Sequence, residues 1–167
     1  MKYLIVRLGL SVALVLFLSA ASTARDMKAM RGSAVQETIL SPSEIEWKDG
    51  PPAIPKGAQM AVLEGDPSKK APFTMRLRFP AGYAIPPHSH PGTERVTVLS
   101  GAFNLTKGEK PDKSKGKALP AGSFFIMAPN TNHFAWADEE TVIQIHTRGP
   151  WQINYANPED DPRKAGK

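Results

Sequence analysis

Glycine and proline interrupt this chain so often that the sequence disfavours a fold of long helices. They account for 13 and 16 of the 167 residues, about 17% together, against a usual share of roughly 12%. Proline removes a helical N–H donor, and glycine adds conformational entropy that a helix must lose. The chain is long enough for one domain, and this punctuation predicts that the domain consists of many short strands.

Alternating runs between the breaks support an antiparallel β fold. The clearest is Phe73–Phe79, which puts four apolar side chains on one face and Thr74 with two arginines on the other. About ten short strands with no convincing helix predict a small all-β barrel or sandwich of two antiparallel sheets. The other predicted strands are Gln59–Glu64, Ile85–His90, Arg95–Ser100, Phe103–Thr106, Ser123–Met127, His133–Trp136, Thr141–Thr147 and Gln152–Tyr155.

The first 24 residues are typical of a signal peptide. Lys2 and Arg7 precede an uncharged apolar stretch, which ends in the small-residue cluster Ser19–Ala24. The alternative, a membrane anchor, is disfavoured because the apolar core is shorter than the roughly 20 residues that a span needs. We therefore expect cleavage of residues 1–24, a periplasmic or secreted protein, and no stable membrane anchor afterwards.

Composition shifts predict three parts in the rest of the chain. We expect an extended N-terminal arm over residues 25–54, where three prolines near the end break any helix. The strand pattern then fills residues 55–156. Residues 157–167, with two prolines and mixed charges, are expected to form a flexible tail.

Several functional classes are excluded or disfavoured by residues that the chain lacks. Without cysteine there is no disulfide scaffold, Cys-ligated zinc, iron–sulfur cluster or cysteine nucleophile. The net charge of +5 falls to +3 when Lys2 and Arg7 leave with the leader, which does not indicate a nucleic-acid partner. The G-x-S-x-G motif of Ser-His-Asp hydrolases is also missing.

Histidines and one glutamate form the most informative constellation. His88 and His90 stand two residues apart, so on a strand both side chains point to the same face. Glu94 follows four residues later across a Pro-Gly turn, and His133 begins a later strand. Two imidazoles and a carboxylate are typical ligands of a divalent metal, and His133 is a candidate for a further ligand.

The 20-residue segment that starts at Gly82 resembles the first motif of the cupin family. It fits the pattern G-x5-H-x-H-x3-E-x6-G at every fixed position. The second cupin motif, G-x5-P-x-G-x2-H, is matched by Gly122 and His133 but has Ala128 at the proline and Asn130 at the glycine. Because asparagine tolerates positive φ better than most residues, we still expect a tight turn at Asn130.

The resemblance covers roughly residues 55–156 and implies a small bacterial single-domain cupin. It implies a jelly-roll β-barrel with a metal in one mouth, ligated by His88, His90, Glu94 and His133, and a homodimer. These ligands leave the identity of the divalent ion open among Zn, Mn, Cu, Fe and Ni. On a six-coordinate ion they would leave two positions for water, O2 or a substrate.

The function implied by this resemblance is that of a metal-dependent enzyme acting on a small oxygen-bearing molecule. An oxygenase such as a dioxygenase, an isomerase and a lyase all fit, and a non-catalytic module that binds a metal or small ligand is the alternative. His146 is the candidate catalytic acid–base, because the resemblance places its strand in the barrel wall. Gln144, Phe134 and Trp136 are expected around the metal.

Overall fold

Two antiparallel sheets form the domain, as the sequence predicts. The computed structural model describes residues 37–164, so the predicted signal peptide and the first part of the arm lie outside the described residues. Within this range no helix has the length and apolar character required to cross a membrane. The strands are β1 (Lys48–Asp49), β2 (Gln59–Glu64), β3 (Pro72–Phe79), β4 (Ala84–Ser89), β5 (Glu94–Ser100), β6 (Ala102–Lys107), β7 (Lys117–Pro120), β8 (Phe124–Met127), β9 (His133–Ala137), β10 (Thr141–Arg148) and β11 (Asn154–Tyr155), with short 3-10 helices at Pro42–Glu44, Lys113–Lys115 and Pro158–Asp160.

The chain passes repeatedly between the two sheets. The first sheet has the order β1-β2-β3-β10-β5-β8, and the second has the order β11-β4-β9-β6-β7. All neighbouring strands are antiparallel. This arrangement is a cupin-type jelly roll, and the predicted fold class is confirmed.

The core lies between the sheets and is built from the alternation that the sequence shows. In β3, the side chains of Phe73, Met75, Leu77 and Phe79 are at most 2% exposed. Burying each of them contributes roughly 1.5–3 kcal/mol. The arginines between them lie on the outer face of the sheet, where the Arg78 guanidinium stands 4.0 Å from the centre of the Trp47 ring.

Residues 48–54, which we expected in an extended arm, belong to the domain. β1 pairs with β2, and Ile54 is buried in the core. Pro51, Pro52 and Pro55, which were expected to break any helix, shape a turn that inserts Ile54 between the sheets. Two tyrosine hydroxyls hold this turn by donating to its carbonyl oxygens, Tyr155 to Ala53 at 2.8 Å and Tyr83 to Pro55.

Residues 157–164, predicted as part of a flexible tail, also pack against the domain. The Asn157 side chain caps the 3-10 helix Pro158–Asp160 by accepting a hydrogen bond from the backbone N–H of Glu159 at 3.2 Å. Arg163 donates to the carbonyl oxygen of Ile153 at 3.0 Å and forms an ion pair with Asp161 at 2.7 Å. The charged residues that suggested a flexible tail therefore hold this segment against the domain.

Candidate metal centre

Three strands bring the four predicted metal ligands to one end of the barrel. His88 lies in β4 directly opposite His133, the first residue of β9. His90 follows β4, and the chain then turns into the other sheet, where Glu94 begins β5. All four side chains are buried, with exposures of 2–6%.

The ligand atoms converge on one region. The histidines offer nitrogen atoms that all lie within 4.8 Å of one another. One carboxylate oxygen of Glu94 is 3.4 Å from Nε2 of His90, and the other is 3.8 Å from Nε2 of His133. These separations are small enough for the four side chains to share a single ion.

Hydrogen bonds to the backbone fix the orientation of all three imidazoles. Each Nδ1 contacts a carbonyl oxygen, which can only accept a hydrogen bond, so Nδ1 carries the proton and Nε2 keeps its lone pair. This is the arrangement typical of histidines that bind a metal through Nε2. The contacts are His88 to Pro86 at 2.7 Å, His90 to Gln152 at 2.8 Å and His133 to Thr131 at 2.9 Å.

Burial keeps the imidazoles neutral, which is the form that binds metal. It lowers the pKa of His90 to about 4 and holds the pKa of His88 well below its ordinary value. The pKa of His133 is lowered for the same reason, although the charge of Glu94 opposes the effect. Burial raises the pKa of Glu94, against the influence of His133 and of the Trp151 indole.

The donor set fits a divalent cation. Nε2 of His90 is buried and has no hydrogen-bond partner among residues 37–164. Its lone pair faces a carboxyl oxygen of Glu94 at 3.4 Å. Burial lowers the pKa of His90 to about 4, so this nitrogen stays unprotonated near neutral pH and is available to bind a cation.

A small apolar cavity, with a free volume of about 20 Å³, extends from the ligands into the barrel. Within the described part of the chain, no titratable side chain other than the four ligands lines it. The remaining lining residues are Ile54, Leu77, Phe79, Ile85, Val96, Phe103, Phe125, Ala135, Ile143, Ile145, Trp151 and Ile153.

His146 lies outside the barrel, contrary to our expectation. β10 directs Ile143 and Ile145 into the cavity, so the alternate residues Gln144 and His146 face outward. Nδ1 of His146 is 2.9 Å from the hydroxyl of Thr74 on the exposed side of the sheet. The structure therefore contradicts the placement of His146 and Gln144 beside the metal.

Phe134 and Trp136 are buried but also lie away from the metal. They alternate with His133 along β9 and therefore occupy the opposite face of the sheet. Their rings stack on each other at 5.1 Å, and the Lys113 ammonium stands 5.4 Å from the Trp136 ring. These aromatics pack beneath the 3-10 helix Lys113–Lys115, and their predicted contact with the metal site is wrong.

The predicted turn at Asn130 is confirmed. Its φ is 57°, the one positive value at a non-glycine residue in the described range. The backbone N–H of Asn130 donates to the carbonyl oxygen of His90 at 2.7 Å. The turn therefore ties the segment before His133 to the other ligand-bearing segment.

Sequence reasoning missed two residues that support the site. Trp151 stacks on His90, with ring centres 5.6 Å apart and planes 25° apart. Gln152 supplies the carbonyl oxygen that orients His90. The Gly-Pro-Trp sequence before Gln152 is visible in the chain, but a backbone carbonyl acts independently of its side chain and leaves no sequence signal.

Solved structures share this architecture. An acetylacetone dioxygenase from Acinetobacter johnsonii is 19% identical, with a TM-score of 0.60 over 78% of this chain and 84% of that one. The polyketide cyclase RemF from Streptomyces resistomycificus is 13% identical, with a TM-score of 0.62 over 77% and 92% of the two chains. An RmlC-like cupin from Shewanella frigidimarina is 17% identical, with a TM-score of 0.53 over 70% and 95%.

These identities show a shared fold and no more. No curated protein matches the sequence significantly. The sequence family described as the ChrR cupin-like domain matches residues 35–152, well over half of the chain. Since that match spans β1 to β10 and every predicted metal ligand, the protein belongs to the ChrR cupin-like family of small single-domain cupins.

Proposed function

We propose that this protein is a metal-dependent enzyme that acts on a small oxygen-bearing molecule. The observation that carries the proposal is the convergence of three backbone-oriented imidazoles and one carboxylate at the end of an apolar cavity. Such a site serves no purpose in packing, because a buried carboxylate without a cation costs stability. One divalent ion per chain, held by His88, His90, Glu94 and His133, balances that charge.

The chain's own residues define what the site can do. When bound, the metal would supply Lewis acidity, activation of water or activation of oxygen. The imidazoles hold it without changing protonation, because burial lowers their pKa. Glu94 provides the anionic ligand, and the apolar wall excludes water and accepts the hydrocarbon part of a substrate.

The cavity favours an oxygenase over an isomerase or a lyase. The latter reactions usually need an acid or base beside the metal, whereas no titratable side chain in the described lining is available besides the ligands. The similar fold of an acetylacetone dioxygenase makes small 1,3-diketones the first substrates to test.

The size of the cavity limits the substrate. Its free volume of about 20 Å³ is the space of about one water molecule, so only a small group of a substrate fits inside unless the apolar wall moves. Apart from the ligands, the side chains that line it are apolar. We therefore propose a compact substrate that binds the metal through oxygen atoms and carries no additional charged group.

A non-catalytic metal- or ligand-binding module is the second candidate. The same lack of a separate acid or base in the described cavity supports it, and a metal could be held there without turnover. The two functions differ in one measurable respect. An enzyme consumes O2 or substrate, whereas a binding module gives only a saturable change in the metal's spectrum.

Metal reconstitution and oxygen uptake test the proposal. Metal-free protein would be loaded separately with Fe²⁺, Mn²⁺, Cu²⁺, Ni²⁺ or Zn²⁺, its metal content measured, and O2 consumption followed with small 1,3-diketones and α-hydroxyketones. We expect uptake with at least one redox-active ion, none with Zn²⁺, and none in His90→Ala. His146→Ala is the matched control and should keep wild-type activity. Stoichiometric metal without turnover would favour the binding module, and failure to bind any of these ions would overturn both candidates.

We also propose that the protein is exported and forms a homodimer. The leader pattern at residues 1–24 supports export. Mass spectrometry of the N-terminus after cell fractionation tests it, because an intact Met1 in the cytoplasmic fraction would contradict it. Light scattering of the purified protein tests the dimer.

A further inference from the structure

Trp151 occupies the wall between two cavities at the metal centre. It lines the barrel cavity and also a smaller cavity, with a free volume of about 10 Å³, next to His90 and Glu94. The smaller cavity is bounded by the turn 91–93 and the segment 147–152. Trp151, His90 and Glu94 are thus the side chains common to both spaces.

The backbone around Trp151 is held firmly in place. Its N–H donates to the carbonyl oxygen of Pro67 at 2.7 Å, and the N–H of Gly149 donates to Ala71 at 3.0 Å. A side chain at Gly149 would collide with the backbone carbonyl groups of Pro67 and Lys69. Two residues later, Ile153 is 1% exposed in the core. The backbone that carries the indole is therefore anchored by contacts outside the ligand set.

The indole contacts two of the ligands in different ways. Its ring stacks on the imidazole of His90 at 5.6 Å. Its Nε1 is buried and makes no hydrogen bond of ordinary geometry within the described range. Glu94 carries the one carboxylate in the described lining of either cavity, so it is the acidic acceptor that shares both spaces with this unpartnered N–H.

We propose that Trp151 is a positioning residue of the metal centre, whose N–H orients the Glu94 carboxylate while its ring holds the plane of His90. This inference rests on the proposed metal function. Groups that orient metal ligands commonly change metal affinity by 10–100-fold when removed. The effect of the N–H should therefore be visible in metal affinity and in the ligand field of the bound ion.

Trp151→Phe tests the role of the N–H, because phenylalanine keeps an aromatic ring against His90 but has no donor. Zn²⁺ affinity would be measured by chelator competition, and the geometry by the absorption spectrum of the Co²⁺ protein. We expect about tenfold weaker Zn²⁺ binding and shifted Co²⁺ bands. Trp136→Phe, on the far side of β9, is the matched control and should change neither.

A double-mutant cycle separates positioning from general packing. If the N–H acts through Glu94, Trp151→Phe should have no further effect on affinity in a Glu94→Ala background. The same loss of affinity in both backgrounds would overturn the inference, as would an unchanged affinity and spectrum in Trp151→Phe.

An isosteric replacement guards against misfolding of the phenylalanine variant. Benzothienylalanine at position 151 replaces the N–H by sulfur and retains the shape of the ring, and we expect the same tenfold loss. Wild-type affinity with this residue would overturn the inference. If the wild-type protein itself binds neither Zn²⁺ nor Co²⁺, the proposed function fails; if it binds both and position 151 has no influence, the inference alone fails.

Discussion

Nε2 of His90 and Oε1 of Glu94 lie 3.4 Å apart in a site shielded from water. The Nδ1 proton of His90 is donated to Gln152, so Nε2 faces the carboxyl group with its lone pair. When Glu94 is ionised, the two facing atoms repel each other, and a cation between them converts the repulsion into attraction.

Single substitutions should show that His88, His90 and His133 bind the metal and that the fourth histidine, His146, does not. We expect His88→Ala, His90→Ala and His133→Ala each to lose most of the bound metal, because each removes one fixed lone pair. His146→Ala should keep full occupancy, since its imidazole contacts Thr74 on the outer face. Elemental analysis with chelator competition measures both. Full occupancy in His90→Ala would show that the ligand assignment is wrong.

Acid should destabilise the metal-free protein. The folded-state pKa values of the three buried histidines lie below the unfolded value of about 6.5. The unfolded chain therefore binds more protons as the pH falls, and folding stability decreases from about pH 6.5 toward 4. His90, with a pKa of about 4, alone accounts for a loss on the order of 3 kcal/mol.

Urea unfolding with a chelator present, at pH steps from 7.5 to 4.5, measures this loss. The raised pKa of Glu94 acts in the opposite direction, but it is one group against three. A free energy of unfolding that stays constant over this range would contradict the neutral buried state of the histidines.

Glu94→Gln should stabilise the metal-free protein while weakening metal binding. Burial raises the pKa of Glu94, so the stability that its protonated form provides is lost as the pH rises through the folded-state pKa. Glutamine has a similar shape and no charge to bury, and we expect a gain of about 1–3 kcal/mol at pH 7. The gain should disappear near pH 4, where the wild-type carboxyl is protonated. Lower stability of the variant at pH 7, measured in urea, would contradict this account.

Trp136→Ala should lower the folding stability and leave metal binding nearly unchanged. Trp136 stacks on Phe134 and lies beneath Lys113 and Gly116, on the face of β9 opposite His133. Truncating a buried tryptophan costs about 3–5 kcal/mol, and calorimetry should show the loss. Metal affinity of the folded variant should stay within about twofold of the wild type, and a tenfold loss would place Trp136 at the site after all.

The convergence of the first three ligands was predictable because the spacing of residues along a strand determines the direction in which their side chains point. His88 and His90 are two residues apart, and Glu94 follows across a short turn, so their sequence positions determine that they converge. The alternation in β3 predicted the buried face of that strand in the same way. Each of these features depends on neighbours within a few residues.

The side of β10 could not be read from its sequence. Its outward face carries Val142 and Gln144, and its inward face carries Ile143 and Ile145. β10 is a central strand between β3 and β5, so even its outer residues are half-buried and tolerate apolar side chains. Only the pairing register decides which face is inside, and that register depends on strands far away in sequence.

Trp151 illustrates a second limit. Its position depends on a hydrogen bond to Pro67, 84 residues earlier in the chain. No periodicity or motif encodes a contact between two irregular segments. The residues that we placed wrongly at the metal, Phe134 and Trp136, lie in sequence next to a ligand, whereas the aromatic side chain that supports the site lies far from one.

The orientation of the imidazoles has a consequence for how this site changes during evolution. The acceptors for His88 and His133 are the carbonyl oxygens two residues before each histidine, and the acceptor for His90 is the carbonyl of Gln152. A carbonyl oxygen is present whatever side chain the residue carries, so point mutations at these three positions do not delete the acceptor. The sequence around the ligands can therefore drift widely while the metal-binding geometry persists, and the site is vulnerable mainly to insertions or deletions that shift the backbone.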